Sequence, residues 1–318
     1  MKIIKKNDFA EQISIVLPVY NEKENIPILA KEIEECFDNS NIKWECIWVD
    51  DSSTDKSWET INSLKKPHKG IRLVANKGQS TAIMAGIDES KHEVIVMLDA
   101  DLQNDPQDII KMLQELKSDV DVVCGRRIDR SDPFFTKRLP SLVANYLARK
   151  VSKVKVNDLG CTLRVCRKSV FDRARMTGEM HRVLAIYLFF AGAKIVEIPV
   201  KHRPRIYGKS KYGLIRILKF VSDLILAKYI KTIETKPMYF FGAVALFNFT
   251  LTIFLTILTL EFKKYFGSEI DRLIYITIYL SAVLTILLIS LGLLAELIVR
   301  LFSVTKLDKN YLIRERTM

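Results

Sequence analysis

Two long apolar runs constrain the fold of this chain more than any other feature. Residues 238–260 and 273–295 contain no charged side chain. At about 1.5 Å per residue, each run can cross a hydrocarbon core of about 30 Å as a helix. Since helices of water-soluble proteins seldom run that long without a charge, we predict two transmembrane helices, at about 238–260 and 273–297, rather than a buried helix pair.

The charges that flank these runs predict their orientation. The short connection between them carries both signs, and the N-terminal residues lack the apolar segment of a signal peptide. Basic residues dominate the outer flanks, namely Lys228, Lys231, Lys236, Arg300, Lys306, Lys309, Arg314 and Arg316. By the positive-inside rule, we predict a multi-pass protein of the plasma (inner) membrane with both termini and a tail at 301–318 in the cytoplasm.

Residues 213–236, which precede the first run, have an amphipathic helical pattern. Apolar residues such as Leu214, Ile217 and Leu224 recur at helical spacing, with charged residues such as Arg216 and Lys219 between them. The pattern is typical of a helix that lies in the membrane interface. A helix that packs on a soluble domain would have the same pattern, so both interpretations stay open.

Residues 1–212 alternate between strand and helix patterns, which predicts an α/β domain with a mostly parallel sheet. Ligands of such sheets bind at the carboxyl ends of the strands. Apolar strand patterns lie at 13–19, 46–49, 71–74, 94–98 and 120–124, and helical patterns lie at 24–37, 55–65, 78–90 and 106–117.

Charge and cysteine content narrow the choice of partners. A net charge of +12 favours an anionic partner, which could be nucleic acid, an acidic membrane surface or a phosphorylated small molecule. Five cysteines without CxxC spacing disfavour a zinc site and a disulfide framework, and they favour a reducing compartment.

Two carboxylates follow the fourth strand pattern, in the segment VIVMLDADLQNDP at 94–106. Asp99 and Asp101 are two residues apart, so both side chains can face the crevice, with Gln103 beside them. These hard oxygen ligands suit Mg²⁺ or Mn²⁺, which would bridge the phosphates of a nucleotide. Asp105 is interpreted as a helix cap. No GxxxxGK[ST] or GxGxxG segment follows a strand, which disfavours ATPases and dinucleotide enzymes.

Several motifs, in order along nearly the whole chain, resemble the family 2 glycosyltransferases, which have the GT-A fold. The resemblance narrows to the polyprenyl-phosphate glycosyltransferases, and the bactoprenol (undecaprenyl-phosphate) glucosyltransferase type is the most similar. The general motifs are SIVLPVYNEKENI (14–26), VDDSSTD (49–55), NKGQSTAIMAGI (76–87) and LDADLQNDP (98–106); the narrower ones are NDLGCTLRVCRKSV (157–170), EIPVKHRPRIYGKSKYG (197–213) and GLLAELIVRLF (292–302).

The resemblance implies a role for each residue of the donor site. It implies a divalent cation on Asp101 and Gln103, and it makes Asp99, Asp101 and Asp158 the candidate catalytic residues. The residues that it implies around the nucleotide-sugar are Pro18, Tyr20, Glu22, Asp51, Lys77, Gln79 and Asp99.

The acceptor would be a polyprenyl phosphate, whose charged head at the membrane surface calls for a basic site. We expect Asp158 to orient the acceptor or its basic partners rather than to act as a base. His181 and His202 are interpreted as structural. The candidate phosphate-binding residues are Arg126, Arg127, Lys137, Arg138, Ser141, Arg205 and Lys211.

The resemblance therefore predicts metal-dependent, inverting transfer of a sugar, with UDP-glucose as the expected donor, to undecaprenyl phosphate on the cytoplasmic face. The expected partners are the donor, the lipid and the membrane, not nucleic acid, and small residues such as Gly242 allow a homo-oligomer through the spans. The alternatives are a GDP-mannose-dependent mannosyltransferase, transfer to a soluble or protein acceptor, and a non-catalytic GT-A scaffold. The absence of a QxxRW motif disfavours a processive polysaccharide synthase.

Overall fold

The computed structural model describes residues 11–38, 40–128, 145–146, 148–150, 152–172, 175–176, 178, 180–206, 224, 237–266, 269–304 and 313–317. The chain divides into two compact units. The first unit comprises residues 1–227 together with 309–318, and the second comprises residues 228–308.

Strands of the first unit form one eight-stranded sheet in the order β7-β5-β6-β4-β1-β2-β3-β8. Within the sheet, β6 runs antiparallel to β4 and β5, and β8 runs antiparallel to β3, while the other strands are parallel. The strands are β1 (Gln12–Val19), β2 (Lys43–Asp50), β3 (His68–Leu73), β4 (Val94–Met97), β5 (Val122–Arg127), β6 (Arg164–Arg167), β7 (Ile195–Val200) and β8 (Ile313–Arg316).

Helices alternate with the first strands, as the sequence pattern predicts. The mostly parallel α/β sheet and the strands and helices predicted between residues 13 and 124 are confirmed. The helices whose bounds the structure describes in this unit are α1 (Asn25–Phe37), α2 (Ser57–Ser63), α3 (Gln79–Glu89), α4 (Gln107–Glu115) and α5 (Leu184–Phe190), with 3-10 turns at Lys168–Asp172 and Met180–Val183.

The central strand β1 shows why the sheet needs helices on both faces. Side chains alternate along a strand, so Ile13, Ile15 and Leu17 enter one core cluster and Val16 enters the other. All four side chains are fully buried. A strand that is apolar on both faces is typical of a parallel sheet covered by helices on each side.

The last strand, β8, was not predicted from the sequence. It pairs Ile313 with Leu73, Glu315 with Arg72 and Arg316 with Ile71. Part of the tail that follows the apolar runs therefore belongs to the sheet of the first unit.

The second unit contains the helices α6 (Pro237–Phe266) and α7 (Glu269–Val304). Segments Pro237–Leu258 and Tyr275–Val299, with mean hydropathy 2.1 and 2.6, are long and apolar enough to cross a membrane. Between the helices, the Asn248 amide donates to the Ser281 hydroxyl at 2.9 Å and to the Thr285 hydroxyl at 2.9 Å. The two predicted spans are thus a helix pair joined by polar contacts as well as by packing.

The predicted interface region at 213–236 lies outside the described residues except for Leu224. That side chain is buried in the second core cluster of the first unit.

Candidate active site

The first part of the site is built where β1 and β2 end. Asn21 and Ser52 have φ angles of 58° and 59°, in the left-handed region that Asn tolerates better than most residues. The Asn21 backbone N–H donates to Ser53 Oγ at 3.0 Å, and the Thr54 N–H donates to Asn21 Oδ1 at 2.8 Å. These bonds join the loops that contain Tyr20, Glu22 and Asp51, so the predicted nucleoside-binding residues come together.

Asp51 connects the end of β2 to the start of α3. Its two carboxylate oxygens accept hydrogen bonds from the backbone N–H groups of Lys77 and Gly78, both at 2.8 Å. Gly78 has φ 87°, a conformation that favours glycine at this turn. Burial raises the pKa of Asp51, and these two N–H groups oppose the rise. Asp51 thus holds the turn that precedes α3. In this turn the Lys77 side chain is exposed, and Gln79 is the first residue of the helix.

Asp99 follows β4 and accepts a hydrogen bond from Gln79 Nε2 at 2.7 Å. Burial, and after it the neighbouring Asp101 carboxylate, raises the pKa of Asp99 to about 7. The two predicted sugar-side residues are therefore in direct contact beside Pro18, which lines the same small cavity.

Asp101 is buried and pairs with an arginine from the distant segment that follows β7. Arg205 Nη2 lies 2.6 Å from Asp101 Oδ2, and Arg205 Nη1 lies 4.0 Å from Glu22 Oε1. The second oxygen of Asp101 accepts the Gln103 backbone N–H at 3.2 Å. The structure thus places Arg205, predicted as a phosphate-binding residue, between two predicted donor-site carboxylates.

An antiparallel contact after β7 brings Arg205 to this position. His202 forms an isolated bridge with Asn104, and the Arg203 N–H donates to the Gln103 carbonyl at 2.8 Å. Arg203 also contacts Asp105 at 3.0 Å, so Asp105, interpreted as a cap, additionally anchors this segment. His202 Nε2 lies 3.5 Å from Gln103 Nε2, which places that histidine beside the predicted cation ligands.

Asp101 and Gln103 fit a divalent cation by their chemistry. Gln103 directs its amide nitrogen toward the Arg203 carbonyl at 3.4 Å, a contact that leaves the amide oxygen for other partners. A guanidinium already lies against Asp101, so the position attracts positive charge. Among the described residues no group of three or more His, Cys, Asp or Glu could hold a metal ion. A cation here would therefore need phosphate oxygens of a nucleotide to complete its shell, as Mg²⁺ commonly does.

A second charged pair lies at the end of β5. Asp158 accepts hydrogen bonds from Arg127 Nε at 2.7 Å and Nη2 at 2.8 Å, a bidentate pair. Gly160 leaves room for it, since a Cβ there would lie 2.8 Å from Arg127 Nη2. Glu197 on β7 accepts the Asp158 backbone N–H at 2.8 Å. Asp158 therefore orients one of the basic residues predicted to bind the acceptor.

The structure describes three of the seven residues predicted to bind the acceptor phosphate, namely Arg126, Arg127 and Arg205. Arg126 is exposed at the end of β5. The remaining four, Lys137, Arg138, Ser141 and Lys211, lie outside the described residues.

Two residues beside Asp99 were missed by the sequence analysis, and one histidine was interpreted only as structural. Arg164 on β6 is 2 % exposed, and with Thr162 and His181 it lines the small cavity that also contains Asp99. The Thr162 hydroxyl and the Arg164 charge oppose the rise in the pKa of Asp99. An arginine between two apolar residues, Leu163 and Val165, is the signal that could have identified this position.

Comparison with known proteins identifies the family. A family model described as Glycosyl transferase family 2 matches residues 14–175, which run from β1 through β6 and contain Asp99, Asp101 and Asp158. The chain belongs to glycosyl transferase family 2. The resemblance stated from the sequence motifs is confirmed.

Full-length relatives place this family 2 chain among sugar transferases that act on lipid phosphates. Dodecaprenyl-phosphate galacturonate synthase of Rhizobium johnstonii is 33% identical over 96% of this chain and 92% of the relative. Undecaprenyl-phosphate 4-deoxy-4-formamido-L-arabinose transferase of Edwardsiella ictaluri is 31% identical over 95% and 93%. Both are polyprenyl-phosphate glycosyltransferases, as the motifs predicted.

Among solved structures, glucosyl-3-phosphoglycerate synthase of Mycobacterium tuberculosis, in complex with Mn²⁺ and UDP-glucose, is similar with a TM-score of 0.55 and 15% identity. The match covers 70% of this chain and 79% of the other. This likeness supports the GT-A fold of the family 2 chain.

Proposed function

We propose that this family 2 glycosyltransferase transfers a sugar from a nucleoside diphosphate sugar to a polyprenyl phosphate at the cytoplasmic face of the plasma membrane. The observation that carries the proposal is the similarity, over almost the whole length, to two enzymes that place sugars on polyprenyl phosphates. Asp99, Asp101 and Gln103, which the proposed chemistry needs, are present at the end of β4.

The proposed reaction exchanges one bond at the sugar. An oxygen of the acceptor phosphate bonds to the anomeric carbon as the bond from that carbon to the diphosphate breaks, and the electron pair leaves with the diphosphate. The family resemblance implies inversion at this carbon. A phosphate monoester, with a second pKa of about 6, is already largely ionised at neutral pH. The acceptor therefore needs orientation by basic groups more than it needs a base.

This step makes two electrostatic demands, which are stabilisation of the departing diphosphate and binding of the acceptor phosphate. We assign residues of the chain to each. Asp101 and Gln103 would hold a divalent cation, Mg²⁺ or Mn²⁺, whose charge stabilises the departing diphosphate. Arg205, which pairs with Asp101, would contact a phosphate beside that carboxylate. Arg127, held by Asp158, would bind the acceptor phosphate.

The return of the chain to the sheet supports the proposed topology. Residues 1–227, before α6, and the strand β8 after α7 belong to the same compact unit. If α6 and α7 each cross the membrane, the two crossings return the chain to the side on which it started. This agrees with the positive flanks of the spans, which predict the cytoplasmic side.

The identity of the donor is the finer part of the proposal. A uridine nucleotide is favoured because the similar structure of glucosyl-3-phosphoglycerate synthase contains UDP-glucose. Glucose stays a prediction, since the two relatives transfer galacturonate and formamido-arabinose. GDP-mannose is the alternative.

A screen of radiolabelled nucleotide sugars tests the proposal. Purified full-length protein, with Mn²⁺ and undecaprenyl phosphate, should convert one donor into a chloroform-soluble product. Soluble phosphate esters and peptides serve as competing acceptors, and label on these alone would refute the lipid acceptor. Absence of transfer from every donor would favour the non-catalytic scaffold.

A further inference from the structure

The C-terminal strand β8 is the feature that the proposed reaction leaves unexplained. Its sequence, Ile-Arg-Glu-Arg, is charged rather than apolar, yet the strand pairs along β3, and two further hydrogen bonds join the next residue to Gly70. The Thr317 N–H donates to the Gly70 carbonyl at 3.0 Å, and the Gly70 N–H donates to Thr317 Oγ1 at 2.8 Å. Close packing requires glycine at position 70, since a Cβ there would lie 2.8 Å from Thr317 Cγ2.

The last two side chains of β8, Glu315 and Arg316, point to opposite faces of the sheet, as strand geometry requires. Glu315 accepts a hydrogen bond from Trp58 Nε1 of α2 at 2.8 Å. Arg316 pairs with Glu89, at the end of α3, at 2.9 Å. One strand thus provides both a residue to test and a matched control on the other face.

From Glu315 a chain of contacts leads to the donor site. Glu315 Oε1 lies 3.8 Å from Arg72 Nη1. Arg72 Nε lies 3.0 Å from Asp50, whose carboxylate is fully buried, and Arg72 Nη2 donates to the Ser53 carbonyl at 3.2 Å. The Asp50 carboxylate in turn accepts the Ser53 N–H at 3.0 Å. Arg72 therefore connects the last strand to both ends of the turn after β2.

That turn is the one on which the donor site is built. Ser53 Oγ accepts the Asn21 N–H, and Asp51, within the turn, holds the backbone of Lys77 and Gly78. Ser52 and Asn21 both have left-handed backbone angles, which need fixed neighbours to persist. A change in the position of Arg72 would be passed to these residues and not to the pair of Arg127 and Asp158 at β5.

We propose that Glu315 and Arg72 are positioning residues for the donor nucleotide, and that β8, which follows the two apolar helices in the chain, completes the donor site. This inference rests on the proposed function, because it assumes that the turn at 51–54 binds the nucleoside. Since β8 follows both apolar helices in the chain, the donor site is complete only after the whole membrane region has been synthesised.

The test measures nucleotide binding and steady-state kinetics on the full-length protein. UDP binding by isothermal titration calorimetry, and the KM for donor and for lipid phosphate, are compared among wild type, Glu315→Ala, Arg72→Lys and Arg316→Gln. For Glu315→Ala the donor KM and the UDP Kd should rise about two- to fivefold, the effect of a partly exposed ion pair. For Arg72→Lys the rise should be about tenfold, because lysine lacks the fork that contacts Asp50 and Ser53 together.

The pattern across these measurements decides the inference. The KM for lipid phosphate and kcat should stay within about twofold of wild type, because the contacts of Arg72 lead to the turn after β2 and not to the pair of Arg127 and Asp158. For comparison, a tenfold change would correspond to about 1.4 kcal/mol. Arg316→Gln should leave donor binding unchanged while it removes a contact of the same strand. Equal effects of Glu315→Ala and Arg316→Gln, or equal changes in both KM values, would show a purely structural strand and overturn the inference. If wild type binds neither UDP nor GDP, the proposed donor site itself is wrong, which is a separate result.

Discussion

Replacement of Asp101 should damage catalysis far more than replacement of Asp158, because the two carboxylates face different demands of the reaction. In Asp101→Ala, a carboxylate that would hold the cation on the leaving diphosphate is lost. Removal of one group that stabilises such charge typically costs about 3–4 kcal/mol, so kcat should fall by about 10³-fold.

Asp158 acts on Arg127, and the loss can be estimated from that pair. Asp158→Asn retains one accepting oxygen but replaces the other by an NH₂ group that faces a guanidinium nitrogen. One of two charge-assisted bonds, at 2.7 and 2.8 Å, is lost, at a cost of about 1.5–3 kcal/mol. Solvent screens the pair little, since the two side chains are only 13% and 8% exposed. We therefore expect a loss of about ten- to a hundredfold in kcat/KM, expressed chiefly in the KM for lipid phosphate.

The assay is turnover of purified full-length variants at saturating donor and Mn²⁺, with lipid phosphate varied. Asp119→Asn is the matched control, since it makes the same substitution in an exposed aspartate that pairs with Lys194. Thermal melting checks that each variant is folded. A greater loss of kcat in Asp158→Asn than in Asp101→Ala would refute the reasoning, because it would make Asp158 the base of the reaction.

Further predictions concern the cation, the helix pair and the topology. Chelation by EDTA should abolish transfer and added Mn²⁺ should restore it, and wild-type activity in EDTA would contradict a cation site. Gln103→Ala should weaken Mn²⁺ binding, measured by electron paramagnetic resonance. Asn248→Leu should lower the stability of the detergent-extracted protein by about 0.6–2 kcal/mol, because interhelical hydrogen bonds in membranes have about this strength. An unchanged melting temperature would show that the Asn248 contacts do not stabilise the helix pair. Protease-cleavable tags at residues 1 and 318 should both resist protease added to intact cells, and cleavage of either would refute the two-span topology.

Much of the proposed donor site was predictable from the sequence because its signals are local. The period of apolar residues predicts strands and helices, and polar residues that directly follow a strand must lie at the carboxyl edge of a parallel sheet. Asp99 and Asp101 were found in this way, and Asp51 came from the family resemblance. The signals for the two long apolar helices were equally local, since each is an uninterrupted apolar run in the sequence.

The partners of the charged groups were decided only by the tertiary structure. Arg205 reaches Asp101 across 104 residues of sequence, because the segment after β7 runs antiparallel to residues 103 and 104. Nothing in the residues around Arg205 specifies which of several nearby carboxylates it will meet, since every basic side chain attracts all of them. The strand β8 is the clearest case. Its four residues carry no apolar pattern of their own, and they form a strand because the free edge of β3 offers unpaired backbone groups and the side chains of Trp58 and Arg72.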